Sequence, residues 1–164
     1  QHRFLIGLLD ECGRRGILRV VDTAGHVATE TLLEVAKRTD LFLYDLKHMD
    51  PGLHERWTGV SNALILSNLR ALAAAGAEVI LRIPVVAGVN DDPENALAAA
   101  AFIASLPGNT PGVHLLPYHP IARHKYGKLG RLEDFMDLEE PSADSLEEMA
   151  GIFGKSGITA RVGG

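Results

Sequence analysis

A chain of 164 residues with 46% hydrophobic content can bury a core, and its length falls in the range of one domain. Its formal net charge of -5, with acidic and basic residues interspersed, excludes a basic stripe for nucleic acid and a charged solvating tail. No apolar run reaches membrane-spanning length and QHRFLIGLLDECGRRG lacks a signal peptide's cleavage pattern, so the expected location is the cytoplasm.

Residues 4–15 place Phe4, Leu5, Leu8, Leu9 and Cys12 at helical spacing, with Gly16 as the stop. The single cysteine, Cys12, has no internal disulfide partner and is expected as a small core residue. ILRVV reads as a strand ending in Asp22-Thr23. Residues 29–38 read as a short helix with Leu32, Val35 and Ala36 inward, followed by the strand LFLYDLK. Ser61 or Asn62 caps a helix that closes at Gly76, and VILRIPVV reads as a strand buried on both faces. Asp92-Pro93 offers an N-cap and a proline at the first helical position, with Leu97, Ala98, Ala101 and Phe102 as the inner stripe. GVHLLPY is the next strand, and residues 120–141 read as a loop. Ser142 opens a last helix with Leu146, Met149, Ala150 and Phe153 inward, leading to the strand ITARV.

Helices alternating with about five strands imply an α/β protein of parallel, right-handed βαβ units. A closed eight-stranded barrel needs about 250 residues, so the expectation is an arc of a barrel or an open doubly wound sheet. Ligands in such folds sit beyond the carboxyl ends of the strands. The polar residues there are Asp22 and Thr23, Asp45 and Lys47, Asn90 with Arg82 further back, and His119. Carboxylates beside a lysine suit the two charged groups of an amino-acid-like ligand, or a cation, while His119 could hydrogen-bond or stack on a ring. His114, inside a strand pattern, is expected as a hydrogen-bonded core histidine. The remaining histidines are scattered without metal spacing, no Gly-x-Gly-x-x-Gly is present, and no serine lies in a nucleophile elbow.

Four segments carry a resemblance. DTAG at 22–25, YDLKHMDPGLHERWTGVSN at 44–62, ILRIPVVAGVNDD at 80–92 and LLPYHPIARHKYGKLGR at 115–131 resemble, in order and spacing, the glycyl-radical enzyme activating proteins. That family includes pyruvate formate-lyase-activating enzyme and belongs to the radical S-adenosylmethionine (SAM) superfamily. The resemblance implies a partial (β/α)6 barrel that binds SAM and a [4Fe-4S] cluster. A deoxyadenosyl radical would then take hydrogen from a glycine of a pyruvate formate-lyase-like partner, with a flavodoxin or ferredoxin type reductant. By motif match, the pair that contacts the SAM methionine moiety falls on Asp45 and Lys47, with Leu46 between. His119 is carried over as a SAM contact, as is Arg82. Asp22 and Thr23 match a position where some members hold a monovalent cation.

The family's Cys-x-x-x-Cys-x-x-Cys loop and Gly-Gly-Glu segment are missing, and Cys12 matches no ligand position. The expectation is that residues 1–164 are the carboxyl-terminal part of a radical SAM domain, inactive alone, with an uncovered strand edge that favours self-association. Ala24 and Ala87 are minor departures from the family's usual residues. Two other readings compete: a cluster-free module that binds SAM or a partner without radical chemistry, and a barrel aldolase or isomerase using Lys47 as a Schiff-base residue.

Overall fold

The computed structural model describes residues 1–109 and 111–163. Its elements in chain order are α1 (His2–Arg14), β1 (Val20–Thr23), α2 (Thr29–Ala36), β2 (Leu41–Asp45), α3 (Pro51–Thr58), α4 (Ala63–Ala74), β3 (Val79–Val85) and α5 (Pro93–Ala104). There follow β4 (Gly112–Pro117), α6 (Ala122–Lys128), a 3-10 turn (Leu132–Asp134), α7 (Ala143–Lys155) and β5 (Ala160–Val162). None of the helices described is long and apolar enough to cross a membrane.

The five strands pair in parallel in the order β1-β2-β3-β4-β5. Right-handed crossovers in an order that never reverses send every connecting helix to the same side, which makes the sheet an arc of a barrel. A doubly wound sheet would reverse its order. Alternation then sorts the side chains: Phe42, Tyr44, Leu81, Ile83, Val85, Val113 and Leu115 face the helices, each at most 2% exposed. The opposite face carries Asp22, Leu43, Asp45, Arg82, His114 and Arg161, all half-buried or exposed. β3 is therefore buried on one face, not on both. His114 stands half-buried on the bare face and its ring makes no hydrogen bond among the described residues, so it is not a core histidine.

Other expectations shift for physical reasons. α5 is turned from its expected face: Asn95, Ala96, Ala99, Ala100 and Ile103 are buried, while Leu97 is 56% exposed. Small alanines let the helix approach its neighbours closely, and Phe102 lies under Arg70, whose guanidinium carbon is 4.6 Å from the ring centroid. α3 is a helix between β2 and α4 that the sequence reading did not include. It starts with Asp50 accepting from Leu53 N–H at 2.7 Å and Pro51 in the first turn, and Gly59 ends it at φ 81°. α6 and the 3-10 turn occupy part of the 120–141 segment. In α1 only Leu9 is buried; Phe4 and Leu8 face solvent, and Cys12 is a partly buried free thiol.

The strands begin at a two-way clamp. Arg19 donates from its main-chain N–H (2.8 Å) and Nε (2.9 Å) to Asp40 Oδ2 and from Nη2 to Oδ1 (2.7 Å), while Asp40 N–H donates to Arg19 O (2.9 Å). Hydrogen bonds from the Arg19 side chain, then from its main chain, lower the Asp40 carboxyl from 3.8 to about 2. A depressed carboxyl contributes stability above its unfolded pKa and loses it as pH falls through the folded value. Urea midpoints of the wild type are thus expected to fall towards those of Asp40→Asn as pH drops from about 4 to about 2. Parallel pH profiles for the two proteins would refute this origin of acid sensitivity.

Candidate functional site

β2 leaves the sheet through Asp45 and Lys47, two positions apart and so on one side of an extended chain. Asp45 Oδ2 accepts from Lys47 Nζ at 3.1 Å, and Oδ1 accepts from Arg82 Nε at 3.0 Å and Nη2 at 2.8 Å. Arg82 is opposite Asp45 in the β2–β3 register, and Asp22 is opposite Leu43 in the β1–β2 register, so all three charges share the bare face. That placement lets Arg82 Nη2 reach across β2 to Asp22 Oδ1. Burial works against the Arg82 charge, but the bonds to Asp45 and Asp22 outweigh it and hold its pKa above the ordinary value. Asp45 and Arg82 form the shielded centre, with side chains 18% and 20% exposed; Lys47 at 39% and Asp22 at 60% form the open ends. A cleft of about 400 Å³ opens beside Lys47, with Trp57, Val86 and Met136 among its apolar walls.

The other expected site residues separate. Leu46 is 4% exposed, its side chain in the core and its N–H donating to Arg82 O at 2.9 Å, so it offers only main chain to the rim. His119 follows β4, and its Nδ1 lies 3.2 Å from Glu140 Oε1. Thr23 projects to the helix-covered side, opposite to Asp22, and its hydroxyl accepts from Gly25 N–H at 2.9 Å. Among the described residues, no three His, Cys, Asp or Glu side chains group to hold a metal ion. His48 and His54 are buried by their main-chain bonds: His48 Nδ1 accepts from Asp50 N–H at 3.0 Å, and His54 Nδ1 meets Val60 O at 2.7 Å.

Four buried asparagines support the rim; the sequence singled out Asn90 as a ligand-end polar residue and Asn62 as a cap, and gave no role to Asn68 or Asn95. Asn62, Asn68, Asn90 and Asn95 are at most 6% exposed, and every one spends its side-chain amide on the rim loops. Asn68 donates to Gly25 O and Val27 O, both at 2.7 Å, and its Oδ1 accepts from Thr29 Oγ1 at 2.7 Å. Asn62 donates to His48 O at 3.0 Å and Met49 O at 2.7 Å. It precedes α4 as a cap would, yet makes no side-chain cap bond. Asn95 Oδ1 accepts from Met49 N–H at 2.8 Å. The available signal was Asn62 in front of an apolar helical run, and it pointed to a different partner.

No family model matches the chain. Among curated proteins it is 40% identical over 161 residues to trans-4-hydroxy-L-proline dehydratase activating enzyme of Clostridioides difficile, covering 98% of this chain and 53% of that protein. It is 34% identical over 165 residues to 4-hydroxyphenylacetate decarboxylase activating enzyme of Clostridioides difficile strain CD196, covering 99% of this chain and 52% of that protein. The chain thus spans about half the length of the curated relatives it matches. A solved domain of pyruvate-formate lyase-activating enzyme from Bacteroides vulgatus ATCC 8482 superposes with a TM-score of 0.85 at 36% identity, over 99% of this chain and 91% of that one. With that domain matched almost end to end, on a parallel arc whose rim pairs Asp45 with Lys47, the chain belongs to the glycyl-radical enzyme activating family of radical SAM proteins.

Proposed function

We propose that this chain supplies the SAM-binding rim of an enzyme that activates a glycyl-radical enzyme by removing hydrogen from a glycine. The observation that carries the reading is Asp45 and Lys47, 3.1 Å apart at the rim and backed by Arg82. The methionine end of SAM brings an ammonium and a carboxylate. Asp45 accepts from the first and Lys47 donates to the second, so each internal contact is exchanged for a ligand contact of the same charge type. Arg82 keeps Asp45 Oδ1 occupied throughout, which leaves Oδ2 as the oxygen that meets the ligand. The donor set fits SAM. When bound and reduced by one electron from an iron-sulfur cluster, SAM supplies a primary carbon radical able to take hydrogen from glycine. The residues here do not fit that cluster: it is held by several thiolates, and Cys12 is the sole cysteine, so its ligands must come from outside these 164 residues. In this reading the electron comes from a flavodoxin or ferredoxin type protein, and the partner is the glycyl-radical enzyme itself.

The test has two readouts. After anaerobic iron-sulfide reconstitution and dithionite reduction, the 164-residue chain is expected to release no 5′-deoxyadenosine. In equilibrium dialysis it is expected to bind SAM weakly, and Lys47→Ala should lower that affinity about tenfold, as loss of a charge-assisted hydrogen bond does. Equal affinity of the wild type and Lys47→Ala would remove the rim from the site. Deoxyadenosine release by the chain would mean that a cluster is held by residues other than cysteine thiolates.

A further inference from the structure

The β2–β3 ladder stops for a chemical reason. Leu46 N–H donates to Arg82 O, and the next rung of a parallel ladder would run from residue 84 N–H to Leu46 O. Residue 84 is proline and has no N–H to give. β3 continues to pair with β4 as far as Val85 opposite Pro117, but β2 is left without a partner just where Lys47 must be placed.

Asn90 fills that gap. It is 2% exposed, and its side chain donates from Nδ2 to Lys47 O at 2.6 Å and Pro84 O at 2.8 Å, while Oδ1 accepts from Val86 N–H at 2.8 Å. A side-chain amide thus replaces the missing main-chain rungs between the two strand ends. Behind it, Asn95 Nδ2 donates to Asn90 O at 3.2 Å, and Asn95 and Asn62 fix both main-chain polar groups of Met49. We propose that Asn90 is a positioning residue for Lys47, fixing its peptide plane so that the ammonium stands at Asp45 Oδ2 before any ligand arrives. Asp45 is already pinned by Arg82, so once the Lys47 carbonyl is held only the four-carbon side chain is free. Ligand binding then orders little else. The ligand half of this proposal rests on the SAM reading; the placement of Lys47 does not.

Hydrogen exchange of the wild-type chain followed by NMR is the first test. The Val86 and Met49 amides, though outside the helices and strands, are expected to be protected about a hundredfold or more, because their acceptors are buried. Unprotected amides at both positions would overturn the proposal. Asn90→Ser is expected to speed exchange at Val86 and Met49 about tenfold, leaving Leu81 and Leu115 unchanged, and to weaken SAM binding in dialysis about tenfold. Asn90→Asp keeps the acceptor and loses both donors, so Val86 should stay protected while Met49 and SAM affinity are lost. Asn68→Ser, which frees the 25–27 loop and the Thr29 hydroxyl and touches neither Lys47 nor Met49, should leave Met49 exchange unchanged. Uniform acceleration that includes Leu81 and Leu115 would reduce Asn90 to a structural residue and defeat the proposal, as would unaltered SAM affinity in Asn90→Ser. If the wild type binds no SAM, the reading of the ligand fails, and exchange alone decides the placement of Lys47.

Discussion

Gly25→Ala is expected to cost about 3 kcal/mol, a large part of the 5–15 kcal/mol that typically holds a domain folded. A Cβ at Gly25 would lie 1.7 Å from the Tyr44 hydroxyl oxygen, 2.2 Å from Cζ and 2.6 Å from Cε2. The ring cannot give way. Tyr44 is fully buried and donates its hydroxyl to Ile65 O at 2.7 Å, tying β2 to α4. Burial also pushes the Tyr44 hydroxyl well above its ordinary pKa, so it stays a neutral donor. Moving it would leave Ile65 O without its side-chain donor and open the core, and the φ of 70° at Gly25 adds about 1 kcal/mol for any residue with a Cβ. Gly59→Ala separates the two effects, because Gly59 has φ 81° and open space around its Cβ direction. It should cost only about 1 kcal/mol. Urea denaturation of both variants decides, and equal losses would show that overlap with Tyr44 is not the controlling term.

Arg82→Met is expected to destabilise the chain by about 2 kcal/mol and to weaken SAM binding about tenfold. The full cost of breaking a buried pair, about 3–5 kcal/mol, is discounted because both side chains keep some exposure and Lys47 still faces Asp45. Methionine preserves the apolar stem of Arg82, so the loss reports the guanidinium. Asp22→Asn removes the other end of the same network, yet Asp22 is 60% exposed, so its cost should stay under about 1 kcal/mol. Denaturation midpoints of the two variants test the asymmetry. A loss at Asp22 matching that at Arg82 would mean that the bridge across β2, rather than the Asp45 pair, holds the rim together.

The sequence was most legible where one rule acted alone. Alternating apolar runs and helical stripes located all five strands, and the two-residue spacing of Asp45 and Lys47 placed them on one side of a strand end. The Arg82 bridge to Asp22 needed the sheet order as well, because the two residues are 60 positions apart in the chain. α5 was misread in phase because alanine looks apolar on every side, so a helix such as PENALAAAAFIA has no face that spacing can single out. α3 had the same Asp-Pro start that correctly opened α5, yet its short polar body, PGLHERWT, carries no repeated stripe. The buried asparagines illustrate a different limit. An asparagine beside a turn signals a cap or a loop, and only the fold decides whether its amide is spent on its own helix or on a strand end across the rim.

Pro84 gives the sheet a boundary that is independent of packing. On the side facing β2, hydrogen-bond pairing ends by omission of one N–H rather than by a clash or a charge, so the register upstream is insulated from whatever follows. The segment beyond it works like a socket with a fixed collar: residues after Pro84 can be exchanged without sliding β2 against β3, provided Asn90 still closes the gap. A barrel made in this way can vary the loop after β3 while keeping the strands before it in register.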